Sequence, residues 1–180
     1  MLKWILTRMI DSARRQLGVE DMDYAYRLRD VAPGRLFRFV FIKTVEGTRK
    51  ATPPAVYHAA GLAAAMVEDC GPCVQIHVNL ALKDGVSPEI MAALVQGQLD
   101  RAPADAALGF RFGDAVARGY SCDELRDAIA RKWGEGGVIE LAFTIATARF
   151  YPAVKRGMGY AHACEKIKIG AVETYAAKAA

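Results

Sequence analysis

Cys70-Gly71-Pro72-Cys73, with His77 four residues after the second cysteine, has the residue types and spacing of reactive-thiol chemistry. A thiol attacks only as its thiolate. Its reference pKa of about 8.5 must therefore be lowered by a helix N-terminus, a cationic neighbour or a second thiol. Pro72 is tolerated in the first turn of a helix and not in its interior, so the segment predicts a kink or a helix restart. On a restart, Cys70 or Gly71 is the N-cap and Cys73 sits in the electropositive first turn. His77 then shares a face with Cys73. An imidazole near its titration midpoint can accept the thiol proton there. Cys70 lies on the same side and can close a disulfide. One thiolate attacks an O–O or S–S bond, the other cysteine resolves the sulfenate or mixed disulfide, and a thiol or dithiol reductant resets the pair. Which cysteine attacks first is open.

The elements that position this segment read as helices. Thr52-Pro53 has a capping hydroxyl before a proline and predicts a helix running to about Glu68. The helix carrying Cys73 and His77 is expected to end near Gly85. Ser87-Pro88-Glu89 opens another, a further one covers about 103–118 and stops at Gly119, and Ser121-x-x-Glu124 reads as a capping box. Residues 138–151 are apolar on nearly every face, which predicts a helix buried in a core or a subunit interface, kinked or ended by Pro152. Residues 158–180 are alanine-rich and are expected to be helical. Nearer the N-terminus, Leu2, Ile5, Leu6, Met9, Ile10, Ala13 and Leu17 form one apolar helix face. An acidic, arginine-rich stretch then leads to Pro33 and a second helix. A strand competes over 37–42, and Phe37, Phe39 and Phe41 are expected in the core. Strand signals are otherwise weak, so the fold class is all-α.

Composition narrows the function. Of the 180 residues 53% are hydrophobic and 24% charged, values of an ordinary globular chain. The net charge of +4 comes from basic residues interleaved with acids, without a long run or a stacking platform, which argues against nucleic acid. The N-terminal ten residues are interrupted by Lys3 and Arg8, and no small-residue cleavage site follows. They are read as a docked helix, with a membrane-surface helix as the alternative. The expected location is cytoplasmic, with no membrane partner and with the four cysteines present as thiols. One folded unit is expected, made of an N-terminal helical extension over 1–50 and a helical domain over 51–180.

The stretch 55–81, with Cys70-Gly71-Pro72-Cys73 and His77, resembles the alkylhydroperoxidase D-like branch of the carboxymuconolactone decarboxylase family. A weaker likeness continues through Gly85-Val86-Ser87, 109–117 and 138–151. The resemblance implies an all-α bundle assembled as trimers or hexamers, and a thiol peroxidase or disulfide reductase that uses no metal or organic cofactor. Its substrate would be a hydroperoxide or disulfide. The two thiols fall on Cys70 and Cys73 and the proton relay on His77. The family's relay glutamate lies twelve residues before the first cysteine, where this chain has His58. Glu68, two residues before Cys70, is the nearest carboxylate, so Glu68 and His58 are both candidates for the relay. The residue before the second cysteine, often polar in the family, is Pro72.

Two other functions compete. Cys70, Cys73 and His77, completed by Cys122 or His58, would give a zinc-stabilised or non-catalytic interaction module. The family's decarboxylation of a muconolactone-type acid is the other, and its enzymes characteristically lack the cysteine pair. Cys122 is expected in a helix's first turn, and Cys164 as a small buried apolar residue.

Overall fold

Alanine and glycine at half the positions of 54–67 let one helix be enclosed on all sides, and the other elements gather around it. The computed structural model describes residues 2–160 and 166–177. In it α5 (Pro54–Val67) buries ten successive residues, 56–65. Its tightest neighbour is α8 (Ala104–Arg118). A Cβ added to Gly109 would lie 2.6 Å from the Val56 carbonyl oxygen, and one on Gly113 only 2.3 Å from that of Ala60. Backbone touches backbone there, and only glycine fits. Against another side of α5 packs α9 (Asp123–Gly157), which breaks at Gly134 (φ 70°, ψ 178°) and continues through Pro152.

After α5 the chain reverses over three residues into α6 (Gly71–Lys83). Asp69 makes the reversal with a left-handed backbone (φ 48°), which a short polar side chain tolerates better than most. α7 (Pro88–Val95) starts as expected, with the Ser87 hydroxyl accepting from the Ile90 N–H at 3.4 Å. A short 3-10 turn (Leu99–Arg101) links it to α8, which ends at left-handed Gly119. The core facing the cysteines joins Leu62, Val74, Val78, Met91, Leu94 and Phe110.

The N-terminal helices α1 (Leu2–Leu17), α2 (Asp23–Val31) and α3 (Pro33–Phe41) enclose a separate cluster of Leu6, Ile10, Tyr24, Leu36 and Phe39. Tyr151 and Val154 of α9 and its C-cap Met158 complete it. α4 (Lys43–Glu46) is a single turn between this unit and α5. Among the described residues no helix is long and apolar enough to cross a membrane.

The fold is all-α apart from one hairpin, and several local expectations are corrected. Instead of continuing as helix, the C-terminal segment forms β1 (Lys166–Ile169) and β2 (Val172–Tyr175), paired antiparallel. Ile167 and Ile169 alternate inward onto the cysteine-side core. The Gln75 side chain meets β1 as a strand would, donating to the Lys168 carbonyl (2.9 Å) and accepting its N–H (2.7 Å). The stretch before Pro33 contains α2, and 37–42 is helical through Phe41. Phe39 is core, but Phe37 and Phe41 stack on each other at the surface, 52% and 45% exposed. Cys122, not Ser121, is the N-cap of α9, and the capping box does not form. Pro53 is the N-cap of α5. Thr52 is instead tied, by its N–H and hydroxyl, to Glu140 of α9, which also accepts the N–H groups of Lys50 and Ala51. The helix over 138–151 is buried along one stripe only and exposes Ile139, Phe143 and Phe150.

Candidate functional site

Cys70 and Cys73 lie where the sequence puts them, at the start of α6. Cys70 is the N-cap in extended backbone, Gly71 and Pro72 make the first turn, and Cys73 follows. The Cys70 carbonyl accepts from the Cys73 N–H at 2.9 Å and from the Val74 N–H at 3.0 Å, closing that turn. The Cα atoms are 5.2 Å apart and the sulfurs are joined in a disulfide. Both cysteines are buried, at 1% and 5% exposure. Expected as thiols, they are oxidised here, as one half of a thiol–disulfide cycle requires.

His77 lies one turn beyond Cys73 and is half-buried against α5. Gly61 makes this possible, because a Cβ there would stand 2.9 Å from His77 Cε1 and 3.0 Å from Nδ1. Burial, with His58 and Lys43 adding positive charge nearby, pushes the His77 imidazole down to about 4, while Glu46 pulls the other way. It is therefore neutral at pH 7. It is an uncharged ring rather than the half-charged group expected from its ordinary value.

His58 lies one turn earlier in α5, and its Nε2 meets Asp84 Oδ2 at 2.8 Å. The pairings of Gly61 with His77 and of His58 with Asp84 run α5 against α6 in opposite directions, with the disulfide at the closed end of the hairpin. Burial lowers the His58 titration, and hydrogen bonding to Asp84 opposes this only in part. Asp84 is half-exposed at the C-cap of α6, where it joins the buried imidazole to solvent.

Glu68 is in a different environment. Its carboxylate accepts from Arg149 Nε and Arg156 Nη1, both at 2.9 Å, and Arg156 also donates to its backbone carbonyl. Burial opposes ionisation of Glu68, but the two arginines outweigh it and hold the carboxyl below its usual range. These contacts fasten the α5–α6 reversal to α9 and leave its carboxylate occupied.

Two polar groups escape the sequence reading. Asp84 was legible in principle, since it follows His77 by seven residues, two turns along one face. Glu46 was not. Its side chain, only 5% exposed, accepts hydrogen bonds from Tyr57, Thr144 and Thr147 and pairs with Lys43 Nζ at 2.7 Å. Cys122 is a half-buried free thiol. Cys164 lies outside the described residues. Among the described residues no three His, Cys, Asp or Glu side chains converge to hold a metal ion.

The helical hairpin with its cysteine pair has a counterpart among known families. Residues 41–110 match the model of the carboxymuconolactone decarboxylase family. Comparison with curated proteins and with solved structures returned no match. The matched span runs from the end of α3 into α8 and includes Glu46, His58, Cys70, Cys73, His77 and Asp84; over this segment the chain is similar to the carboxymuconolactone decarboxylase family.

Proposed function

We propose that the protein is a thiol-dependent oxidoreductase of the alkylhydroperoxidase type, reducing a hydroperoxide or a disulfide at Cys70 and Cys73. The observation that carries this reading is the disulfide at the N-terminus of α6 with a neutral imidazole one turn on. In the reduced enzyme His77 accepts the proton of the attacking thiol, and the helix N-terminus stabilises the thiolate. Attack on a peroxide breaks the O–O bond, gives a sulfenate and releases an alcohol or water. The second thiol then expels water as the disulfide forms, and an external dithiol returns two electrons and two protons. Cys73 is taken as the attacking thiol because it lies near the start of α6, one turn before His77.

Proton exit is assigned to His58 and Asp84. His58 occupies the position of the family's relay carboxylate, and Asp84 connects it to solvent. Glu68, held by two arginines, takes no part. No metal or organic cofactor is needed. A homo-oligomer is supported by Ile139, Phe143 and Phe150, which expose one apolar face of α9, and sedimentation reads its size.

Reduced protein treated with one equivalent of peroxide should yield a Cys70–Cys73 disulfide in peptide mass spectra, and Cys73→Ser should turn over neither peroxide nor disulfide. Full activity in Cys73→Ser would overturn the mechanism. Stoichiometric zinc bound by the two thiols of the purified chain would favour the interaction module instead.

A further inference from the structure

A buried carboxylate outside the cysteine motif serves the same site. Glu46 is the one residue of α4 whose side chain is drawn inward, and four donors from three elements meet it: Lys43 beside it, Tyr57 of α5, and Thr144 and Thr147 of α9. An anchor for a surface turn does not need so complete a shell, because burying a charge is costly and a neutral side chain would anchor as well. Two of these donors, Tyr57 and Thr144, lie on the side of α5 that faces the histidines. The Tyr57 ring stands edge-on to His58 with centroids 5.3 Å apart. A Cβ added at Gly61 would meet both the Thr144 methyl, at 3.7 Å, and His77 Cε1, at 2.9 Å.

We propose that Glu46 is a positioning residue of the cysteine–histidine site, supplying through the Tyr57–Thr144 shell the fixed negative charge that position 58, a histidine, does not. This rests on the thiol-redox reading above. The carboxylate lies on the imidazole side of the site. Its charge stabilises the protonated histidine that forms when a thiol gives up its proton, and so favours the thiolate–imidazolium pair. Lys43 from α4, Arg49 from the segment between α4 and α5, His58 and Tyr57 from α5, Asp84 at the C-cap of α6, and Glu140 and Tyr151 from α9 are the other ionisable groups around it. Of these, Lys43 and Arg49 oppose protonation of His58, and Asp84 supports it.

The test needs no substrate. The reduced full-length protein is alkylated with iodoacetamide from pH 5 to 9 and the modified cysteines are followed by mass spectrometry, with thermal melts alongside. Glu46→Gln, which keeps volume and hydrogen-bonding atoms but removes the charge, should shift the alkylation midpoint upward and slow the reaction about 3–10-fold at pH 7, the equivalent of half to one pH unit. Glu46→Asp should recover most of that rate. A Glu46→Gln protein that melts lower but keeps the wild-type pH profile would show an anchor only and overturn the proposal, as would a Glu46→Asp protein no faster than Glu46→Gln. Should Glu46→Gln fail to fold, Thr144→Val, which keeps the shape and loses one donor to the carboxylate, should shift the profile the same way by a smaller amount; an unmoved midpoint there also overturns it. Absence of wild-type turnover on peroxides and disulfides would count against the redox reading alone, since the alkylation profile is read without a substrate.

Discussion

The closed end of the α5–α6 hairpin and the polar cluster beside its histidines are built in opposite ways. The closed end is local: Cys70, Pro72, Cys73 and His77 fall within eight consecutive residues, and helix geometry alone brings them together. The cluster is assembled from afar, with Glu46 meeting Thr144 and Thr147 across 98 and 101 positions. On the proposed function, the nucleophile depends on one helix start, whereas the groups assigned to its proton depend on how α4, α5, α6 and α9 pack. Damage to the first should abolish chemistry, and damage to the second should retune it.

The largest effect on the local side is expected from His77→Gln. Removing the proton acceptor should lower turnover about 10²–10⁴-fold. The same variant has a stability signature. Because His77 titrates at about 4 when folded and near its ordinary 6.5 when unfolded, the unfolded chain binds more protons between those values. Wild-type stability should therefore fall as the pH drops from about 6.5 to about 4, by on the order of 2 kcal/mol for a ring that keeps part of its surface open. Chemical denaturation of His77→Gln should lack that part of the slope. If the two slopes coincide, His77 is not the buried neutral base described.

A smaller effect is expected at Asp84. Asp84→Asn keeps a partner for His58 Nε2 but removes the charge, and should slow turnover about tenfold, with the loss concentrated in the proton-dependent step and visible as a changed solvent isotope effect. Unchanged kinetics would move the proton exit elsewhere. Smallest on activity is Glu68→Gln. It should lower stability by about 1 kcal/mol through its partly exposed arginines and leave the pH profile of turnover in place. A shifted profile would return Glu68 to the relay.

The same contrast explains what could be read from the chain. The cysteine helix, the Ser87 cap and the Gly119 stop were legible because each signal is complete within a few residues. Thr52 failed as a cap because Glu140, 88 positions away, claims its hydroxyl and N–H. The partners of Glu68 were hidden for the same reason, since Arg149 and Arg156 are 81 and 88 residues on. The C-terminal hairpin is a different kind of miss. Lys166-Ile167-Lys168-Ile169, a turn at Gly170 and a β-rich Val172–Tyr175 carry the period-two signal, which the surrounding alanines outweighed. Buried Ile167 and Ile169 show that the alternation decided the structure.

The contact between Gln75 and β1 also bears on solubility. A two-stranded ribbon has two outer edges, and unpaired peptide groups along an edge are a template on which another chain can add a strand. At Lys168 a single side-chain amide satisfies both the N–H and the carbonyl of that edge, serving as a third strand one residue long. Because Gln75 stands only two residues beyond Cys73, the helix that carries the two cysteines also closes this edge of the ribbon at Lys168.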